Sequence, residues 1–138
     1  MSIYFHCNFL KKNYKKEKKK VGVQMIKLYL PYTQDLIRVP YSEQDMYLIQ
    51  AKGSGSIKIG VAKDCDARIK QLQTGNAVEL RLIHVFKGYG NVERPLHKEL
   101  KKFREKGEWF SYKCVGSLPV EIYEQIPYGA LDSWWLSI

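Results

Sequence analysis

The chain has 138 residues, 45% of them hydrophobic, and a net charge of +9. That length supports one domain with a modest core and is too short for two. No run approaches the ~18 apolar residues of a membrane-spanning helix, and the start, "MSIYFHCNFLKK", lacks the leading charge and unbroken apolar stretch of a secretory signal, so no membrane partner is expected.

The charge is uneven. Residues 1–24 carry seven lysines, all within "KKNYKKEKKK", against Glu17 alone, an excess of +6 out of +9 that leaves +3 for the other 114 residues. A basic chain points to phosphate-rich partners. The basic arm, 1–24, reads three ways: a disordered solvated tail, a DNA-contacting arm, or a leader outside the natural product, since Met25 opens the more protein-like "MIKLYL". The three cysteines, Cys7, Cys65 and Cys114, are scattered without metal-ligand spacing. That suits free thiols in a reducing, cytoplasmic setting.

In chain order, "MIKLYL" alternates like a short strand, and the rest of 25–44 reads as an irregular lead-in. "DMYLIQA" is rich in strand formers, "KGSG" supplies turn glycines, and "SIKIGVA" alternates again, so 45–62 is expected to form an antiparallel hairpin. A tight turn at Lys52–Gly55 sets Tyr47 opposite Gly60. "KDCDARIKQLQTGN" switches to helical spacing, with Asp64 as cap, Ile69 and Leu72 inward and Gly75 as stop. "VELRLIHVFKG" reads as a central strand with Leu80, Leu82 and His84 on one face and Arg81, Ile83 and Val85 on the other. "NVERPLHKELKKFREKG" reads as a helix capped by Asn91, ended by Gly107, with Val92, Leu96, Leu100 and Phe103 inward. "EWFSYK" follows as a short strand and "SLPVEIYEQI" as a helix capped by Ser117; Trp134 and Trp135 close the C-terminal part, 114–138. The fold class is α+β, a small antiparallel sheet covered by helices.

Several polar residues fall where they can converge. Tyr47 and Lys58 share a face of the hairpin, and Arg68 lies one or two turns into the helix that follows. A cation beside a phenol favours the phenolate, a base, and a guanidinium forks onto phosphate. Glu93 and His97, four apart, share a helix face. A lone carboxylate with water and substrate phosphate suits Mg²⁺.

"MYLI", "KIGVA" with Lys58 eleven residues after Tyr47, and Arg68 ten residues further resemble the core of the GIY-YIG nuclease superfamily. "LQTGNAVELRLIHVFKG", "VERPLHKEL" and "GEWF" resemble its phage DNA-binding-domain branch, which has a fungal meiotic relative. The resemblance covers 45–113 and implies a three-stranded antiparallel sheet flanked by helices and one-metal hydrolysis of a DNA phosphodiester, with Mg²⁺ or Mn²⁺. It implies that Tyr47 acts as base or water-positioning group, that Lys58 replaces the second motif tyrosine, and that Arg68 stabilises the transition-state phosphate. It implies that Glu93 ligates the metal and that His97 belongs to the branch signature. Leu72 and Val61 stand where many nuclease members carry polar groups, which fits a weaker nuclease or a DNA-binding module without cleavage. DNA contacts are expected from Lys63, Lys70, Lys98, Lys101, Lys102 and Arg104. A weaker alternative is an interaction protein anchored by Trp134 and Trp135.

Overall fold

The computed structural model describes residues 24–131. The lysine-rich run, Cys7, Trp134 and Trp135 lie outside the described residues, as do the readings attached to them.

The fold is α+β. Strands β1 (Met25–Leu30) and β2 (Asp35–Pro40) form a two-stranded ribbon. Strands β3 (Asp45–Ala51), β4 (Ile57–Ala62), β5 (Leu80–Phe86), β6 (Arg104–Lys106) and β7 (Trp109–Phe110) form a five-stranded antiparallel sheet in the order β5-β3-β4-β7-β6. The helices are α1 (Cys65–Thr74), α2 (Glu93–Glu99) and the single turn α3 (Val120–Tyr123), with 3-10 segments between. None of the described helices is long and apolar enough to cross a membrane.

The sheet separates two cores. Strand alternation sends Met46, Leu48, Ile57, Ile59, Phe86 and Phe110 to one face, where Val92, Leu96 and Leu100 around α2, Ile26 and Leu28 of β1, and Ile122 of α3 cover them. Tyr47, Ile49, Ala51 and Leu80 face the other way, under Cys65, Ile69 and Leu72 of α1. Burying each large aliphatic or aromatic side chain contributes about 1.5–3 kcal/mol, so both faces fix the register of the central pair β3–β4.

Several expectations hold. The hairpin spans Asp45–Ala62 with Tyr47 opposite Gly60. Gly53 and Gly55 take the positive φ of its turn, at 92° and 71°. Asp64 caps α1 through its carboxylate, which accepts the Ala67 amide at 3.1 Å.

Others need correction. The lead-in is ordered: "DLIRVP" alternates, Ile37 and Val39 point inward, and β2 pairs with β1 along its whole length. The sheet has five strands instead of three. After Phe103 the sequence "REK" offers no inward apolar residue to extend α2, and Gly107, at φ 59°, turns the chain into the β6–β7 hairpin instead of ending a helix. Asn91 is not a cap; its side-chain amide donates to the Pro40 carbonyl at 3.0 Å. Nor does Ser117 cap the last helix, which starts after Pro119. Finally, β5 is an edge strand, and a bulge opposite Leu48/Ile49 breaks its alternation. His84 therefore lies opposite Leu48 and Val85 opposite Tyr47, the reverse of strict alternation.

Candidate active site

The site gathers at the unpaired half of β4. β7 is two residues long and pairs only with Ile57 and Lys58, so β4 beyond Ile59 has no neighbouring strand on that side. Groups from α1 on one face and α2 on the other meet around this gap.

Tyr47 comes from the buried strand β3 and is 1% exposed. Its ring lies over Gly60, where an added Cβ would meet the ring Cζ at 2.5 Å, so the glycine of "KIG" makes room for the tyrosine. Arg68, exposed one turn into α1, stands close enough to the Tyr47 hydroxyl to act on it as a hydrogen-bond donor, and its Nη1 lies 3.4 Å from Gln71 Oε1. Burial pushes the Tyr47 phenol up from its ordinary value and outweighs the Arg68 hydrogen bond that pulls it down; the Glu108 carboxylate adds to the rise. The phenolate expected from a neighbouring cation is therefore disfavoured.

Lys58 shares this face, but its charge is already matched. Its Nζ lies 2.9 Å from Glu108 Oε2 and 5.6 Å from the Trp109 ring centre. The lysine side chain is 9% exposed and that of Glu108 is 41% exposed, so the ammonium lies beneath and the carboxylate faces outward. Two backbone links fix this arrangement: Lys58 pairs with Trp109, and the Ile59 amide donates to the Glu108 carbonyl at 3.2 Å.

From the other face, α2 contributes Glu93 and His97. The His97 Nε2 lies 2.8 Å from the Ile59 carbonyl of β4. A carbonyl only accepts, so Nε2 carries the proton and Nδ1 is left as the second ring position. The ring packs on Phe110 with centroids 5.1 Å apart. Glu93 Oε2 is buried and has no hydrogen-bond partner among the described residues. Burial raises the Glu93 carboxyl, Glu108 raises it further, and His97 and Lys58 oppose the rise. Glu93 thus lies within electrostatic range of His97, Lys58 and Glu108, and Glu108 within range of Tyr47. An orphaned buried carboxylate oxygen suits one hard cation completed by water and phosphate oxygens. No group of three or more His, Cys, Asp or Glu able to hold a metal occurs among the described residues.

Residues 45–127 match the family model described as the T5orf172 domain, more than half of the chain. The chain belongs to the T5orf172 domain family. This is a phage-associated domain of a nuclease-related class, and the family is DNA-associated. No curated protein and no solved structure matches the chain. The T5orf172 segment begins at the first residue of β3 and runs through α3, so the β1–β2 ribbon precedes it.

The basic residues expected to contact DNA are all exposed but divide between two sides of the T5orf172 sheet. Lys63 and Lys70 accompany α1, whereas Lys98, Lys101 and Lys102 follow α2. Lys102 Nζ lies 4.9 Å from the Tyr32 ring centre, and Arg104 Nε donates to the Gly107 carbonyl at 2.7 Å inside the β6–β7 hairpin. Glu108 was missed by sequence reasoning as a site residue. Its signal was present in "GEWF", but only the pairing of β7 with β4 brings it beside Lys58.

Proposed function

We propose that the domain nicks or cuts DNA by hydrolysing a phosphodiester at a GIY-YIG-like site that uses one divalent ion, Mg²⁺ or Mn²⁺. The observation that carries this reading is the partnerless buried oxygen of Glu93, set within a cluster where Lys58 and Glu108 already pair with each other. Glu93 would hold the ion together with water and substrate oxygens. When bound, the ion supplies Lewis-acid stabilisation of charge on the phosphoryl oxygens.

The chain's own residues then divide the remaining work. Arg68 is exposed and presents its guanidinium fork to a phosphate oxygen. Tyr47 stays a neutral phenol, buried beneath Arg68, and positions that guanidinium over the site. Lys58 is too buried to lead substrate binding; it anchors Glu108. Glu108, half-exposed above Lys58, would take the proton from the attacking water. His97 ties α2 to the β4 backbone and so fixes where Glu93 points.

The test is nicking of supercoiled plasmid with Mg²⁺ or Mn²⁺ present. Glu93→Gln and Arg68→Ala are each expected to slow cleavage by about 10²–10³-fold, the usual effect of removing a group that stabilises the transition state. Both variants should keep the native circular dichroism spectrum. Cleavage at the normal rate in both variants overturns the assignment.

One observation favours a second reading, a DNA-binding module without cleavage. Leu72 is absorbed into the apolar cluster around Tyr47, at a position where a nuclease of the resembled type often carries a polar group. That reading prevails if no product forms across a full metal titration while DNA binding persists and weakens with salt.

A further inference from the structure

We infer that the outer face of the β1–β2 ribbon is a separate contact surface for duplex DNA, seated in the major groove. The ribbon precedes the T5orf172 segment, so the surface is an addition to it. The inference rests on DNA as the partner, but not on its cleavage.

The ribbon is firmly mounted by its other face. Ile26, Leu28, Ile37 and Val39 pack into the core that α2 also covers. At its tip, the Glu99 carboxylate accepts the Tyr32 amide at 2.5 Å and the Thr33 amide at 3.1 Å. At its base, Asn91 holds the Pro40 carbonyl, two residues before Glu93. The ribbon thus runs beside α2, and a duplex lying along it passes close to the candidate active site.

Its outer face is cationic and is covered by no other element among the described residues. Lys27 stands directly opposite Arg38, and Tyr29 directly opposite Leu36. All four are exposed; Tyr29 is 46% and Leu36 65% exposed. Neither Lys27 nor Arg38 has an acidic partner among the described residues. Like charges placed opposite each other on neighbouring strands destabilise a sheet, and an external anion would relieve the cost of this pair. Lys102 extends the positive charge over the Tyr32 ring at the tip. The nearby acids sit at the ends and edge of the ribbon: Glu99 at the turn, Asp35 opposite Leu30 at the start of β2, and Glu121 at the β1 edge, where it accepts the Tyr29 amide at 2.9 Å.

The geometry selects among partners. Glu121 takes up the Tyr29 amide on the outer edge of β1, and the exposed cationic side chains lie on the ribbon's face, so the face is the surface offered to an anionic partner. A two-stranded ribbon, with strands about 4.8 Å apart, fits a major groove about 12 Å wide. An arginine there reaches base edges with its fork, while lysines reach phosphates and an aromatic ring packs on sugar or base. The lysine run at residues 11–20 stands just ahead of β1 in the sequence and carries charge of the same sign.

The experiment is fluorescence anisotropy of the full chain on a labelled duplex in EDTA, across a salt series. The variants are Lys27→Gln/Arg38→Gln, Arg38→Lys and Glu93→Gln. The double variant is expected to melt no lower than the parent, because it removes a like-charge pair, yet to bind at least about 10-fold more weakly. Its salt slope should be smaller by about 1, for the phosphate that Lys27 no longer neutralises. Glu93→Gln should bind normally. Arg38→Lys should keep the salt slope and lose preference among duplex sequences. Unchanged affinity and slope in the double variant overturn the inference. So does a double variant whose only change is in self-association or in binding to anionic vesicles. A loss of cleavage in Glu93→Gln with intact binding bears only on the nuclease reading, so the two can fail separately.

Discussion

Replacing Gly60 with alanine tests the innermost contact of the site. The added methyl would lie 2.5 Å from Cζ and 2.8 Å from Cε2 of Tyr47. Carbon atoms pack comfortably at about 3.5–4.0 Å, so the ring or the β4 backbone must give by roughly 1 Å. A free ring would swing aside at little cost, but Tyr47 is enclosed by Ile49, Cys65, Ile69 and Leu72 and has no space to enter. Overpacking of this kind costs about 1–3 kcal/mol. At roughly 4–8 °C per kcal/mol for a domain of about 100 residues, the melting temperature should fall by about 4–24 °C. Whatever the ring does to escape moves its hydroxyl off Arg68, so nicking at a temperature well below melting should fall further than stability alone explains. A double-mutant cycle with Tyr47→Ala isolates the contact. In that background the glycine substitution should cost less than about 0.5 kcal/mol, because the obstructing ring is gone. An equal cost in both backgrounds would refute the reasoning, since the methyl would then be meeting something other than Tyr47.

Other outcomes follow from single contacts. Glu99→Ala removes the acceptor for two turn amides and the Thr33 hydroxyl, and should lower stability by about 2–4 kcal/mol in urea unfolding, with the β1–β2 amides losing exchange protection first. His84 is held below its ordinary pKa by burial, so between that lowered value and about 6.5 the unfolded chain binds more protons than the folded one. Stability should therefore decline as pH falls below about 6.5, and His84→Phe, which keeps the edge contact with Phe86, should flatten that decline in a pH series of melting curves. Burial pushes the Cys114 thiol up to about 12 and also raises Cys65, so neither should react with a thiol reagent at pH 8 until the protein unfolds. Glu108→Gln keeps the shape but removes the proton acceptor, and should cut the rate of nicking far more than it alters DNA binding in EDTA.

What was legible in the sequence is whatever local chemistry dictates. The hairpin register, the Asp64 cap and the inward row Val92, Leu96 and Leu100 follow from alternation, turn glycines and helical spacing, and the structure shows each. The rest depends on pairing between distant segments. Nothing within "DLIRVP" says that its partner is "MIKLYL", and nothing within "REKGEWF" distinguishes a fraying helix end from a glycine hairpin. The bulge in β5 was hidden because strict alternation is itself the assumption used to read a strand. At the site, Tyr47, Lys58, Arg68, Glu93 and His97 were all picked out, yet the ion pair of Lys58 was not. Its partner, Glu108, is fifty residues away and joins through a strand only two residues long.

That short strand acts as a rivet driven through the sheet. Trp109 is fastened in the layer beneath α1, and Phe110 in the layer beneath α2, while Glu108 projects just ahead of them. The position of one carboxylate is thereby tied to the integrity of both cores at once. Damage to either layer, however far from the pocket, would misplace Glu108 before it unfolded the domain.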